Sequence, residues 1–153
     1  MKIQTILCPI DFSEFNHEAN EYASMLAHST GASISYLHVY RPDPYTNPPA
    51  FFDAEEVEKE QLDLLSQFIS PTKNNVAFSY SVRFGTTAKQ ILRFTTQNDI
   101  DLIVMSTHGR TGFRRLMMGS VTEAIVRNAG CPVIAIKSKS KHEVPKPYSK
   151  SVR

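Results

Sequence analysis

The chain has 153 residues, 41% of them apolar, 21% charged and 10% aromatic, with 17 basic residues against 15 acidic for a formal charge of +2. That length suits one domain and not two, the mixture is globular rather than disordered, and so small a net charge argues neither for nor against nucleic acid. No apolar run approaches the roughly 18 residues of a membrane span, and MKIQTILCPIDF reaches Asp11 too soon for a signal-peptide core, so the expectation is a soluble, cytoplasmic protein with no membrane partner.

In chain order, the first β-rich run is Ile3 to Pro9. Behind it lies a helical segment that Ser13 can cap and Gly31 can end, with Ala19, Tyr22, Ala23, Leu26 and Ala27 at helical spacing. Ser33 to Tyr40 is the second run. From Arg41 to Glu56 the chain holds Pro42, Pro44, Pro48 and Pro49, which bar helix and central strand until its end. So long a loop suits a lid or a partner surface, or an inert cover packed down by Phe51 and Phe52. Asp53 can cap a second helix with Glu55 and Glu56 in its first turn, Val57, Leu62, Leu65, Phe68 and Ile69 on its apolar side and Pro71 beyond its end. Val76 to Phe84 alternates apolar and polar residues, which fits a strand near an edge.

Thr86 or Thr87 opens a third helix through Ile91, Leu92 and Phe94, and Asp101 to Ser106 is the next run. Gly119 and Ser120 begin a fourth helix through Val121, Ala124, Ile125 and Val126 to Gly130, and Pro132 to Lys137 is the last strand. Runs such as LIVM and VIAI are apolar on consecutive residues, as in strands of a parallel sheet covered on both faces. The β-α alternation therefore implies a parallel sheet between two helical layers, whose ligands bind beyond the carboxyl ends of the strands: after Pro9, after Val39 and after Met105. Cys8 and Cys131 lack the spacing of a zinc site or a redox pair and read as small buried hydrophobes.

The segment VMSTHGRTGFRRLMMGSVTE, Val104 to Glu123, carries the most chemistry. A buried strand ends, Gly109 and Gly112 follow, and Gly119-Ser120 begins a helix, so close backbone approach and a helix start combine to favour an anion, a phosphate above all. Neither G-x-x-x-x-G-K-[ST] nor G-x-G-x-x-G is present. Taken alone, Ser120 reads as a helix cap and His108 as a brace for the loop, while Arg110, Arg114 and Arg115 make a basic cluster suited to neutralising phosphates or to remaining solvated. No group of residues stands out as a catalytic or metal site.

Ser106 to Ser120 resembles the nucleotide-binding signature of universal stress proteins, G-x2-G-x9-G-[ST], with Gly109, Gly119 and Ser120 in register and Ser106 in place of the first glycine. The resemblance extends along the chain: CPIDFSE is similar to the family's opening P-x-D-[FG]-S, LHVY to its second strand and GSVTEAIVRNAGCPVIAIK to its last helix and strand. It implies a Rossmann-like three-layer α/β/α fold with a five-stranded parallel sheet in the order 3-2-1-4-5, and a homodimer. It also implies ATP binding with Mg²⁺ or Mn²⁺ in a stress-response module with at most slow hydrolysis. Carried over by position, Asp11 lies near adenine and ribose with Pro9 and Ile10 in the same turn, Val39 contacts adenine, and Met105 and Ser106 border the base. His108, Gly109, Arg110 and Gly112 belong to the phosphate loop, and Gly119, Ser120 and Val121 form the phosphate-facing helix start. Ser106 prompts the alternative, a nucleotide-free interaction module of the same family.

The dimer is expected through Pro132–Lys137, an apolar edge strand that would otherwise be a pairing hazard, with an unidentified protein partner and no nucleic acid. Residues 1–137 form the expected domain and 138–153 a flexible basic tail. From Lys137 onward six basic residues face Glu143 alone, a net of +5, so the preceding 136 residues hold 11 basic and 14 acidic, a net of −3.

Overall fold

The computed structural model describes residues 2–43, 52–73, 75–108 and 118–137. Five strands, β1 (Thr5–Ile10), β2 (Ser33–Tyr40), β3 (Phe78–Phe84), β4 (Leu102–Ser106) and β5 (Val133–Ile136), alternate with four helices, α1 (Phe15–Thr30), α2 (Ala54–Phe68), α3 (Thr87–Gln97) and α4 (Ser120–Asn128). The strands form one parallel sheet in the order β3-β2-β1-β4-β5. This is the expected fold and order, with β3 at one edge.

The unbroken apolar runs are explained by two cores. Alternate residues of the inner strands enter opposite layers: Ile6, Cys8, Ile34, Tyr36 and Val104 pack with Ala19, Ala23 and Ala27 of α1 and Leu65 of α2. Their neighbours Leu7, Leu37, Ile103 and Met105 pack with Ile91 and Phe94 of α3 and Ile125 of α4. A strand with a core on each side has no polar face to show. Cys8 is fully buried and Cys131 partly so.

Helix α1 buries small residues in two rows, Ala19-Ala23-Ala27 and Asn16-Asn20-Ser24. The polar row is satisfied by bonds of its own. Asn20 accepts from the Tyr36 hydroxyl at 2.5 Å and donates to the Ser70 carbonyl at 2.6 Å, while the Ser24 hydroxyl accepts from the Thr72 N–H at 3.1 Å. Tyr22, at helical spacing with the alanines, is 45% exposed.

Helix caps follow the sequence in part. Asp53 Oδ1 accepts from the N–H groups of Glu55 and Glu56, and Gly31 ends α1 with φ +74°. Ser13 does not cap α1. The helix begins at Phe15 after a right-handed Glu14, and the Ser13 hydroxyl is buried without a hydrogen-bond partner among the described residues. The reason lies one residue earlier: Phe12 has φ +63°, a conformation bulky residues rarely adopt, so the chain leaves β1 by a tight turn that precedes the helix. In that turn Asp11 Oδ1 accepts the Ser13 N–H at 3.0 Å and Asn16 Oδ1 accepts the Asp11 N–H at 2.9 Å. Helix α4 stops at Asn128 with an extended Ala129, two residues short of Gly130.

Pro9 stands inside β1, which has a neighbour on either side. The register accommodates it: β1 pairs with β4 only at Ile6↔Leu102 and Leu7↔Ile103, while its pairing with β2 continues to Ile10↔His38. A residue with no N–H fits where the β1–β4 ladder has ended. The sheet thus opens between β1 and β4 at its carboxyl end, where the strand order reverses.

Candidate functional site

Above that opening lies a cleft of about 580 Å³. Its walls come from the ends of three strands and the beginnings of the segments after them. Pro9, Ile10 and Asp11 arrive from β1, Val39 from β2, Met105, Ser106 and His108 from β4 and its exit, and Gly119, Ser120 and Val121 from the start of α4. Every sequence-derived candidate among the described residues therefore borders the same cleft. Gly109, Arg110 and Gly112, with Arg114 and Arg115, lie outside the described residues.

The exit from β4 is tightly bonded. Thr107 donates its N–H to the Ile136 carbonyl at 2.9 Å and accepts the Gly119 N–H on its own carbonyl at 2.8 Å, so the two ends of the segment from 108 to 118 are closed by one residue. Thr122 Oγ1, in the first turn of α4, donates to the Ser106 carbonyl at 3.0 Å. A side chain at Gly119 would bring Cβ to 3.2 Å from the Thr107 carbonyl oxygen, a contact tight enough to favour glycine there. Gly119 is the N-cap of α4 with extended backbone, and Ser120 is its first helical residue. The cap reading of Ser120 fails for that reason: no side-chain bond caps this helix, and Ser120 is exposed at a helix start whose N–H groups are aimed outward.

Ser106 is 8% exposed, and its hydroxyl donates to the His108 carbonyl at 2.8 Å. The side chain is thereby turned onto its own loop. His108 bonds Thr107 Oγ1 through Nδ1 at 2.9 Å and lies 6.0 Å, ring centre to ring centre, from Phe15. Asp11 commits Oδ1 to the Ser13 N–H, which fixes the carboxyl at the cleft's edge.

Residues that the sequence did not mark complete the lining. His38 is 6% exposed, bonds the Ile10 carbonyl through Nδ1 at 2.8 Å and meets the Phe12 ring at a 44° tilt with the ring centres 4.4 Å apart. Tyr40 belongs to a three-ring cluster in which Phe52 lies 6.4 Å away and Phe84 6.0 Å. Gln61 and Leu64 reach in from α2, and Thr87 and Ile91 from α3. One signal was readable: Gln61 interrupts the buried row Val57-Gln61-Leu65, where an apolar residue was due. Among the described residues no three His, Cys, Asp or Glu side chains gather to hold a metal ion. No described helix is long and apolar enough to cross a membrane.

Fold and cleft together define a doubly wound α/β domain with an anion-receptive helix start at its switch point. The universal stress protein family model matches residues 2–137, and the chain belongs to that family. A universal stress protein of Methanocaldococcus jannaschii is 31% identical over 142 residues, covering 89% of this chain and 83% of that one. Another from Thermus aquaticus is 29% identical over 140 residues, 88% of this chain and 98% of its own. Among solved structures, a second M. jannaschii member superposes with a TM-score of 0.76 at 22% identity, covering 92% and 99% of the two chains. A universal stress protein of Archaeoglobus fulgidus in complex with dAMP superposes at 0.59 with 18% identity, covering 90% and 100%. A further member, solved in complex with cAMP, superposes at 0.61 with 18% identity, covering 90% and 98%.

Proposed function

We propose that this chain binds ATP, accompanied by Mg²⁺ or Mn²⁺, in the cleft over β1, β2 and β4, and works in the cytoplasm as a homodimeric stress-response module whose occupancy is read by a protein partner. The observation that carries the reading is the convergence of Asp11, Val39, Met105 and the Gly119-Ser120 helix start on one cleft, whose volume lies within the usual range for small-molecule sites. In this reading the outward N–H groups of α4 and the Ser120 hydroxyl hold phosphate oxygens, and the Asp11 carboxylate accepts from ribose hydroxyls. Val39, Met105 and Ser106 border the base, and Val121 belongs with Gly119 and Ser120 to the phosphate-facing helix start. His108, Gly109, Arg110 and Gly112 supply the phosphate loop.

Ser106 suits a nucleotide as well as glycine would, because its hydroxyl is held by the His108 carbonyl and not presented to the ligand. A divalent ion would draw most of its ligands from the phosphates, since Asp11 is the one carboxylate among the described lining residues. At most slow hydrolysis is expected.

The dimer rests on β5, a sheet edge bonded to β4 alone, where Ile134 is 36% exposed. Pairing with a second copy would cover that edge. Residues 138–153 are proposed as an appendage to the domain of residues 1–137.

Isothermal titration with MgATP tests the reading, with mass spectrometry of whatever nucleotide co-purifies. Saturable heat, abolished in a Gly119→Glu variant that still unfolds cooperatively, with a midpoint lowered by the contact at the Thr107 carbonyl, is the expected result. No heat up to millimolar ATP and no co-purified nucleotide would overturn it. Sedimentation giving a monomer at tens of micromolar would overturn the dimer.

A further inference from the structure

Gln61 is a polar residue buried where the fold has no evident need of one. It is 8% exposed and lines the cleft; its carboxamide is bonded to no described residue and is not sealed from solvent, the buried side-chain atom without a partner among the described residues being the Ser13 hydroxyl. Position explains where the amide points. Leu65 sits in the core beside Tyr36 of β2, and α2, as the crossover between parallel strands, runs back against them. Gln61, one turn nearer the helix start, is therefore about 6 Å closer to the carboxyl ends of the strands, level with the cleft. The amide tip is the part of Gln61 left open to the cleft, where water meets it until a ligand takes that place.

The strand order indicates which part of the ligand that is. With phosphates at the start of α4, beside β4, the ribose crosses β1 at Asp11 and the base comes to lie over the end of β2. The lateral distance from β4 to β2 is two strand spacings, about 10 Å. That is the reach of a nucleotide laid out from its α-phosphate to the far edge of its purine. Over β2 the base has Val39 below it and the amide of Gln61 at its rim.

Resting on the nucleotide reading above, we infer that Gln61 is a specificity-determining residue that reads the purine's six-position edge and selects adenine. A carboxamide offers an N–H donor beside a carbonyl acceptor. Adenine answers with its N7 acceptor and N6 amino donor, whereas hypoxanthine and guanine present two acceptors, O6 and N7, and leave the Gln61 carbonyl facing an oxygen.

The test is equilibrium titration of wild type, Gln61→Leu and Gln61→Met with ATP and with ITP, which keeps the triphosphate and ribose and differs at the base's six-position edge. Wild type is expected to bind ATP about tenfold tighter than ITP. In both variants ATP affinity should fall about tenfold, ITP affinity should change by less than about twofold, and the ligand-free unfolding midpoint should hold or rise. A merely structural glutamine would lower that midpoint and leave the ATP to ITP ratio alone, and either result overturns the inference. Equal affinity of wild type for ATP and ITP overturns it while leaving nucleotide binding intact. Wild type that binds neither overturns the nucleotide reading itself.

Discussion

Thr122 Oγ1 donates to the Ser106 carbonyl oxygen at 3.0 Å, tying the first turn of α4 to the last residue of β4 while Thr122 itself is 4% exposed. The bond fixes the height of the helix start over the strand end. Thr122→Val keeps the shape and removes the donor, so the domain should lose about 1 kcal/mol. Urea unfolding measures the loss, and titration with MgATP should show weaker binding in the same variant.

Ser106→Gly separates two views of the serine. Because the Ser106 hydroxyl donates to the His108 carbonyl, its removal gives up that bond in exchange for the small space a serine side chain takes in the cleft wall. ATP affinity should stay level or fall by a few fold. A marked gain in affinity on calorimetric titration would mean that the serine had been crowding the nucleotide.

Asp101 makes the N-terminal edge of the sheet sensitive to acid. Its Oδ2 accepts the N–H groups of Gln4 at 2.8 Å and Thr5 at 3.0 Å, and these bonds, Gln4's first, hold the carboxyl below the ordinary carboxylate range. A depressed folded-state value means that the contribution is complete above the ordinary aspartate pKa and is lost as pH falls below it through the folded-state value. Urea midpoints followed downward from neutrality should decline in that window for wild type and less steeply for Asp101→Asn.

Burial pushes the Cys8 thiol up to about 12. Native protein at pH 8 should therefore leave Cys8 unmodified by a thiol reagent while the partly buried Cys131 reacts slowly, and both should react in urea. Since the folded value is raised, the stability due to the neutral thiol is complete below the ordinary thiol pKa and is lost as pH climbs from there towards about 12. Peptide mapping of the labelled cysteines, with unfolding midpoints taken up the alkaline range, checks both statements.

Much of the architecture was legible because inner strands of a parallel sheet write themselves plainly: LIVM, apolar on successive residues, is buried throughout, whereas VIAI, equally apolar, forms the edge strand β5 and leaves Ile134 36% exposed, contrary to the expectation of two covered faces. Gly31 and Asp53 marked helix ends because each acts locally, one through its backbone and the other through its own carboxylate. Ser13 misled for the same reason in reverse, since the turn it belongs to is set by the left-handed backbone of Phe12, which no residue-type preference foretells. In the cleft, His38 was passed over although it stands in LHVY beside Val39, because its bond to the Ile10 carbonyl depends on the register of β1 and β2; Gln61 arrives from another layer by the pitch of α2, which a linear pattern does not display.

The stack of Tyr40 on Phe52, with Phe84 set edge-on to both, has a consequence for how this domain can vary. Tyr40 ends β2 and Phe52 precedes the cap of α2, so the rings clamp together the two ends of the connection between them. A connection anchored in this way is a closed ring of chain, and doubling the length of such a ring costs only about 0.6 kcal/mol in closure entropy. The crossover beside the cleft is thus a socket: residues can be inserted, deleted or exchanged there for an affinity tag or a foreign recognition peptide, and the sheet beneath would keep its register.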